Sequence, residues 1–255
     1  MLRPRVIVCL DVKDGRVVKG TQFKNLRDVG DPVELARRYE AEGADEIVYL
    51  DVSASKEKRG TLLDVVRRTA ETLFIPLTVG GGVRSADDIG PLLRAGADKI
   101  SVNTAAVNEP EILSIGSERF GSQCIVASID AASEDGMWRC YTLGGSQPTN
   151  LDGIEWAAEC ERLGAGEILL TSIDQDGARS GYQIDLTREV ADNVPIPVIA
   201  SGGAGKAEHL RNAFDKGHAS AALVAGILHD GLTTVGSLKT SLTAWGIPVR
   251  PIQTS

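Results

Sequence analysis

Several hallmarks of common protein classes are missing from this chain. No stretch reaches the ~18 uninterrupted apolar residues that a membrane span needs, so a membrane role is not expected. Basic residues are in deficit, 27 Lys and Arg against 35 Asp and Glu, for a formal net charge of −8. Nucleic-acid affinity comes mostly from cationic charge, so no nucleic-acid partner is expected. Cysteine is sparse: Cys9, Cys124, Cys140 and Cys160 show no C-x-x-C spacing. Cys9 and Cys124 lie inside apolar runs and read as buried free thiols, not disulfides or metal ligands. The three histidines, His209, His218 and His229, make no metal-binding arrangement, and no metal or cofactor is expected. No linker or low-complexity segment divides the chain, and its start carries no signal-peptide pattern, so a cytoplasmic location is expected.

What is present is the material for a large core. The 255 residues are 42% hydrophobic and 24% charged, which excludes disorder as the main state. Short β-rich apolar runs recur at Val6–Leu10, Ile47–Leu50, Leu77–Val79, Lys99–Val102, Ile125–Ile129, Ile168–Leu170, Val198–Ala200 and Ala221–Ala225. Their mean spacing is about 32 residues, and longer stretches of helical periodicity fall between them. Pro32–Glu42 reads as a helix with Asp31 as its cap and Pro32 in its first turn. Ser85–Ala95 begins at a serine and ends at Gly96. Alternating units of this kind predict a parallel sheet, and strands that are apolar throughout are covered on both faces.

An internal repeat sharpens the fold. Gly43-Ala-Asp-Glu-Ile-Val matches Gly164-Ala-Gly-Glu-Ile-Leu, and the same interval separates Ile75-Pro76 from Ile196-Pro197 and Gly81-Gly82 from Gly202-Gly203. Val8-Cys9-Leu10-Asp11 pairs with Ala127-Ser128-Ile129-Asp130 at an interval two residues shorter. Half the chain is then four βα units, and two halves give one α/β domain over residues 1–255, a (β/α)8 TIM barrel with an internal twofold repeat. A doubly wound open sheet is the alternative.

In such barrels chemistry sits where strands end and βα loops begin. The third and seventh predicted strands end in Gly80-Gly81-Gly82 and Ser201-Gly202-Gly203. Glycine lets backbone N–H groups approach a ligand closely, which suits phosphate. One phosphate cup is expected at Ser201, Gly202, Gly203, Ala225 and Gly226, and a repeat-related one at Gly81, Gly82, Asn103 and Thr104. The alternative is that these are only tight turns. Asp11 and Asp130 end the first and fifth strands at equivalent positions, so they should face each other as an acid–base pair. An aspartate after a strand can also merely cap a loop. Lys19 in the long first loop is a candidate for phosphate or developing charge, or plain surface. Thr171, Asp176 and Gly177 follow the sixth strand toward the same mouth and are expected among the substrate or phosphate contacts. At the other rim Arg5, Glu46, Lys99 and Glu167 form a charged set, readable as a self-satisfied plug or as a gate.

With these residues assembled, the chain resembles the cyclase-subunit family of imidazole glycerol phosphate synthase over nearly its whole length. The resemblance is carried by Ile7–Gly20, Val79–Val83, Asn103–Ala106, Gly121–Gln123, Gly166–Asp174 and Ile199–Gly205. It implies a reaction of histidine biosynthesis. Ammonia from a glutaminase subunit adds to a bisphosphorylated ribulosyl aminoimidazole carboxamide intermediate (PRFAR), giving imidazole glycerol phosphate and AICAR. It implies Asp11 and Asp130 as the acid–base pair, and a glutaminase docked on the barrel floor in a heterodimer, with Asp98 and Gln123 on the docking face. Arg5, Glu46, Lys99 and Glu167 then read as the ammonia gate. The first loop, Gly20–Gly30, is expected to fold over substrate. After the eighth strand this chain departs from the family. It reads Leu223-Val-Ala-Gly-Ile-Leu-His-Asp230 where members carry Ala-Ala-Ser, an aromatic and His-Phe, with a one-residue insertion just upstream around Gly217–Ser220. Gly226 thus stands for a serine. The competing expectations are the sister phosphosugar isomerase of the same pathway and a barrel that binds phosphosugar without turnover.

Overall fold

A computed structural model describes residues 3–21, 24–52 and 59–252 of the chain. All eight apolar runs are strands of one closed barrel: β1 (Arg5–Lys13), β4 (Glu46–Asp51), β5 (Leu77–Gly80), β6 (Lys99–Val102), β7 (Ile125–Glu134), β10 (Glu167–Ser172), β11 (Val198–Ser201) and β12 (Ala221–Val224). Neighbours pair in parallel in that order, and β12 returns to β1. An open doubly wound sheet is thereby excluded. The intervening helices are α1 (Pro32–Ala41), α2 (Arg59–Ala70), α3 (Ile89–Arg94), α4 (Thr104–Asn108), α5 (Glu111–Phe120), α6 (Gly153–Arg162), α7 (Ile184–Asn193), α8 (Ala207–Asp215), α9 (Gly226–His229) and α10 (Val235–Ala244).

Strand alternation divides the core in two. Outward residues such as Val6, Val8, Leu10, Ile47 and Tyr49 pack against the helices. Inward residues Ile7, Cys9, Val48, Val126, Leu169, Ile199, Ala221 and Leu223 form a second, enclosed cluster. Ile7, Val48 and Val126 are wholly buried, each contributing roughly 1.5–3 kcal/mol. Asp31 caps α1 as expected, accepting from the backbone N–H groups of Val33 and Glu34 at 2.9 and 3.1 Å. The helix expected over Ser85–Ala95 is shorter: a 3₁₀ turn at Ala86–Asp88 precedes α3, because the Asp88 carboxylate accepts from Arg84 and Ser85 N–H and tightens the entry.

Two hairpins were not foreseen. β1 runs into β2 (Arg16–Thr21) and β3 (Lys24–Gly30), and β7 runs into β8 (Met137–Thr142) and β9 (Gln147–Asp152), all antiparallel. The segment Gly20–Gly30, expected as a loop over substrate, is therefore largely one arm of a hairpin, and its Gln22 and Phe23 lie outside the described residues. Each hairpin opens with an Asp-Gly turn. Asp14 and Gly15 have φ of 53° and 77°, Asp135 and Gly136 of 49° and 81°, the left-handed pair that a two-residue hairpin turn requires. All four cysteines are free, but Cys124 is only half-buried. It falls in a 3₁₀ turn (Ser122–Cys124) ahead of β7, not inside the strand.

Candidate active site

β1 and β7 stand on opposite sides of the closed sheet, four strands apart in either direction. Asp11 and Asp130 follow the inward residues Cys9 and Val126 at even spacing, so they belong to the barrel's inner face at its upper end. Asp11 accepts a weak hydrogen bond from the Cys9 thiol at 3.8 Å. Asp130 accepts from Asn103 Nδ2 at 2.9 Å. Burial, and then the charge of Asp176, push the Asp11 carboxyl up to about 6 and the Asp130 carboxyl up to about 7. Burial also raises Asp176. Three carboxylates thus share one enclosure. Asp176, which sequence grouped with the phosphate contacts, is within electrostatic reach of both members of the pair.

Both glycine cups take left-handed backbone. Gly81 (φ 85°) lies so close to the chain that an added Cβ would stand 2.1 Å from the Asp51 carbonyl oxygen. Gly202 (φ 86°) would meet the Ser172 carbonyl oxygen at 2.6 Å. No side chain fits either position, so the amides must lie where they do. The Thr104 hydroxyl accepts from Leu143 N–H at 3.0 Å, tying α4 to the β8–β9 turn while its own proton stays free to donate. Gly203 accepts from Gly181 N–H at 2.8 Å, which folds the β10–α7 segment that holds Asp176 and exposed Gly177 onto the cup. Ser201 ends β11 level with Thr171.

The Lys19 ammonium reaches across to the β12 side. It donates to the Gly226 carbonyl at 3.0 Å and pairs with Asp230. Arg27 and Arg179 pair with the same carboxylate, and Lys19, with Arg179, holds Asp230 below the usual carboxylate range. Sequence reasoning passed over Arg27, Arg179 and Asp230, although Asp230 ends the stretch Leu223–Asp230 that it had singled out. His229 was also missed. Its Nε2 must donate to the Cys9 carbonyl, 3.1 Å away, so Nδ1 accepts from Tyr39 O–H at 2.8 Å. Burial lowers His229 to about 4, and this neutral imidazole ties α9 to β1 and α1.

At the floor the four charges alternate. Arg5 pairs with Glu46 at 2.8 Å and with Glu167, and Lys99 pairs with Glu46 at 2.9 Å and Glu167 at 2.8 Å. Thr78 donates to the remaining Glu46 oxygen at 2.6 Å. Asp98 and Gln123 are exposed on the same rim, Asp98 accepting from Leu77 N–H at 2.8 Å.

Comparison with known proteins supplies the remaining observation. A family model described as histidine biosynthesis protein matches residues 5–234. The imidazole glycerol phosphate synthase subunit HisF of Myxococcus xanthus (strain DK1622) is 65% identical over 252 residues, 99% of this chain and 100% of that one. The subunit of that name from Geobacillus kaustophilus (strain HTA426) is 58% identical, covering 98% and 100%. Its namesake in Dehalococcoides mccartyi (strain CBDB1) is 58% identical over 98% and 99%.

Proposed function

The chain belongs to the histidine biosynthesis protein family, and on that premise we propose that it is the cyclase subunit of imidazole glycerol phosphate synthase, a lyase that converts PRFAR and ammonia to imidazole glycerol phosphate and AICAR. The observation that carries the chemistry is the pair of buried carboxyls on opposite strands, held up to about 6 and about 7. Groups in that range exchange protons readily near neutral pH. Asp11 serves the proton transfers of ammonia addition and cleavage, and Asp130 those of ring closure. The cups at Gly81, Gly82, Asn103 and Thr104 and at Ser201, Gly202, Gly203, Ala225 and Gly226 take the two phosphates, with Lys19 beside the second. Thr171 and Gly177 line the space between. Asp176, an anion among anions, suits substrate hydroxyls better than phosphate.

Ammonia would enter from a glutaminase subunit docked on the floor near Asp98 and Gln123. Between the charged ring and the carboxylates lie Ile7, Val48, Val126 and Leu169, an apolar layer that neutral NH₃ crosses far more readily than ammonium, whose burial unpaired costs many kcal/mol. Gating by Arg5, Glu46, Lys99 and Glu167 predicts a split in activities. Glu46→Gln leaves Arg5 and Lys99 one carboxylate short, and should reduce glutamine-dependent turnover with a partner glutaminase several-fold more than ammonia-dependent turnover.

The direct test is the purified chain with PRFAR and ammonium at alkaline pH, followed by loss of absorbance, then repeated with a glutaminase subunit and glutamine. Conversion of the isomeric precursor in place of PRFAR would identify the sister isomerase, and phosphate binding without turnover an inactive barrel. At constant free ammonia, kcat/KM should fall on the acid side with an apparent pKa between about 6 and 7. Carboxyls at ordinary values would put that limb near 4.

A further inference from the structure

Three cations from three separate segments close on one carboxylate beside the second glycine cup. Arg27 of β3 meets Asp230 Oδ1, while Lys19 of β2 and Arg179 of the β10–α7 segment meet Oδ2. The group stands over the backbone at the start of α9. Lys19 donates to the Gly226 carbonyl at 3.0 Å, and a Cβ on Gly226 would lie 3.3 Å from Lys19 Nζ and 3.9 Å from Arg179 Nη2. The Asp230 side chain is 20% exposed, against 57% for Arg27 and 39% for Arg179. The acid therefore lies deeper than the two arginine side chains that cover it. Among the described residues, three positive charges against one negative leave two unmatched, and a phosphate monoester carries about −1.5 to −2 at pH 7.

We propose that Asp230 is the positioning residue of this anion subsite, holding Lys19, Arg27 and Arg179 converged so that their surplus charge meets one phosphate of the substrate. This rests on the reading that the substrate carries a phosphate at each end. Without the carboxylate, three like charges around one point repel. Long, flexible side chains then disperse, and substrate must draw them together again at the cost of their rotamer freedom. The same carboxylate makes up for the missing serine at Gly226: charge gathered above the backbone replaces a hydroxyl beside it. A carboxylate that merely filled the subsite, and had to be displaced by phosphate, would have the opposite consequence on removal.

The test is Asp230→Asn in the full chain, titrated calorimetrically with inorganic phosphate and assayed for the KM of PRFAR with ammonia. The phosphate Kd and the KM should each rise about tenfold, with kcat changed by less than about twofold. Asp230→Glu should recover part of the loss. Arg179→Gln should weaken phosphate binding comparably, and combining it with Asp230→Asn should add less than about twofold, because the two act as one unit. Equal melting temperatures establish that the variants are folded. An unchanged or lowered phosphate Kd in Asp230→Asn overturns the proposal, the lowered value identifying a displaced anion. Phosphate binding that depends on Asp230 in a chain unable to convert PRFAR leaves the assignment standing and removes the cyclase reading. Turnover of PRFAR with phosphate binding indifferent to Asp230 does the reverse.

Discussion

Asp130→Asn is expected to abolish turnover and, in the same protein, to raise the melting temperature at pH 8. The first effect follows from losing a group that must both take and give a proton, about 10²–10⁴-fold in rate. The second follows from the cause of the raised pKa. Burial and the neighbouring Asp176 disfavour the ionised form, so the folded state binds the proton more tightly than the unfolded chain does. Stability from this group therefore increases as pH falls from about 7 toward about 4, and at pH 8 the charged carboxylate is a burden. The amide removes that burden, and its oxygen still accepts from Asn103. A gain on the order of 5 °C is expected at pH 8, shrinking toward pH 5. Asp11→Asn should behave alike with a smaller gain, since its carboxyl reaches only about 6. Phosphate binding should survive in both. Loss of activity accompanied by a lower melting temperature would mean that these carboxylates hold the barrel together and are not its reacting groups.

The largest effect on stability is expected far from this chemistry. Lys239 of α10 and Asp45, just ahead of β4, are each 3% exposed and pair at 2.8 Å. The other Asp45 oxygen accepts from Val6 N–H at 2.8 Å. Asp45→Ala strands a buried ammonium and an unpaired amide, a loss of roughly 3–5 kcal/mol, or on the order of 10 °C in thermal unfolding. Lys239→Met combined with Asp45→Asn should recover most of it, because the asparagine oxygen still accepts from Val6 and no charge remains. Among properly folded molecules kcat should be unchanged. A double variant as unstable as Asp45→Ala would show that the packing of α10, and not its charge, is what matters.

The eight barrel strands were legible because each is buried on both faces and so reads as a short apolar run. The hairpins were not, because Gln147–Asp152 is largely polar and Arg16–Thr21 offers only Val17 and Val18 as apolar residues, too short a run to read as a strand. Their signal lay in Asp14-Gly15 and Asp135-Gly136, dipeptides whose left-handed preference announces a reversal. The site divides in the same way. Asp11, Asp130 and the glycine pairs stand at strand ends, where the barrel itself dictates direction. Arg27 of β3, Arg179 of the β10–α7 segment and Asp230 at the end of α9 meet through contacts that no local pattern encodes. The charged floor, base and acid alternating in chain order, could be placed on one rim, but only its geometry reveals that each cation pairs with both acids.

The alternation of β1 carries a consequence for how this gene can vary. Arg5, Ile7, Cys9 and Asp11 reach the floor, the apolar layer and the reacting level from a single strand, every second residue. One codon gained or lost within it would reverse the facing of every residue on one side of the change and so break the set apart, and Glu167, Leu169 and Thr171 of β10 are bound by the same parity. Changes of length in descendants of this chain are thereby confined to the segments between barrel strands.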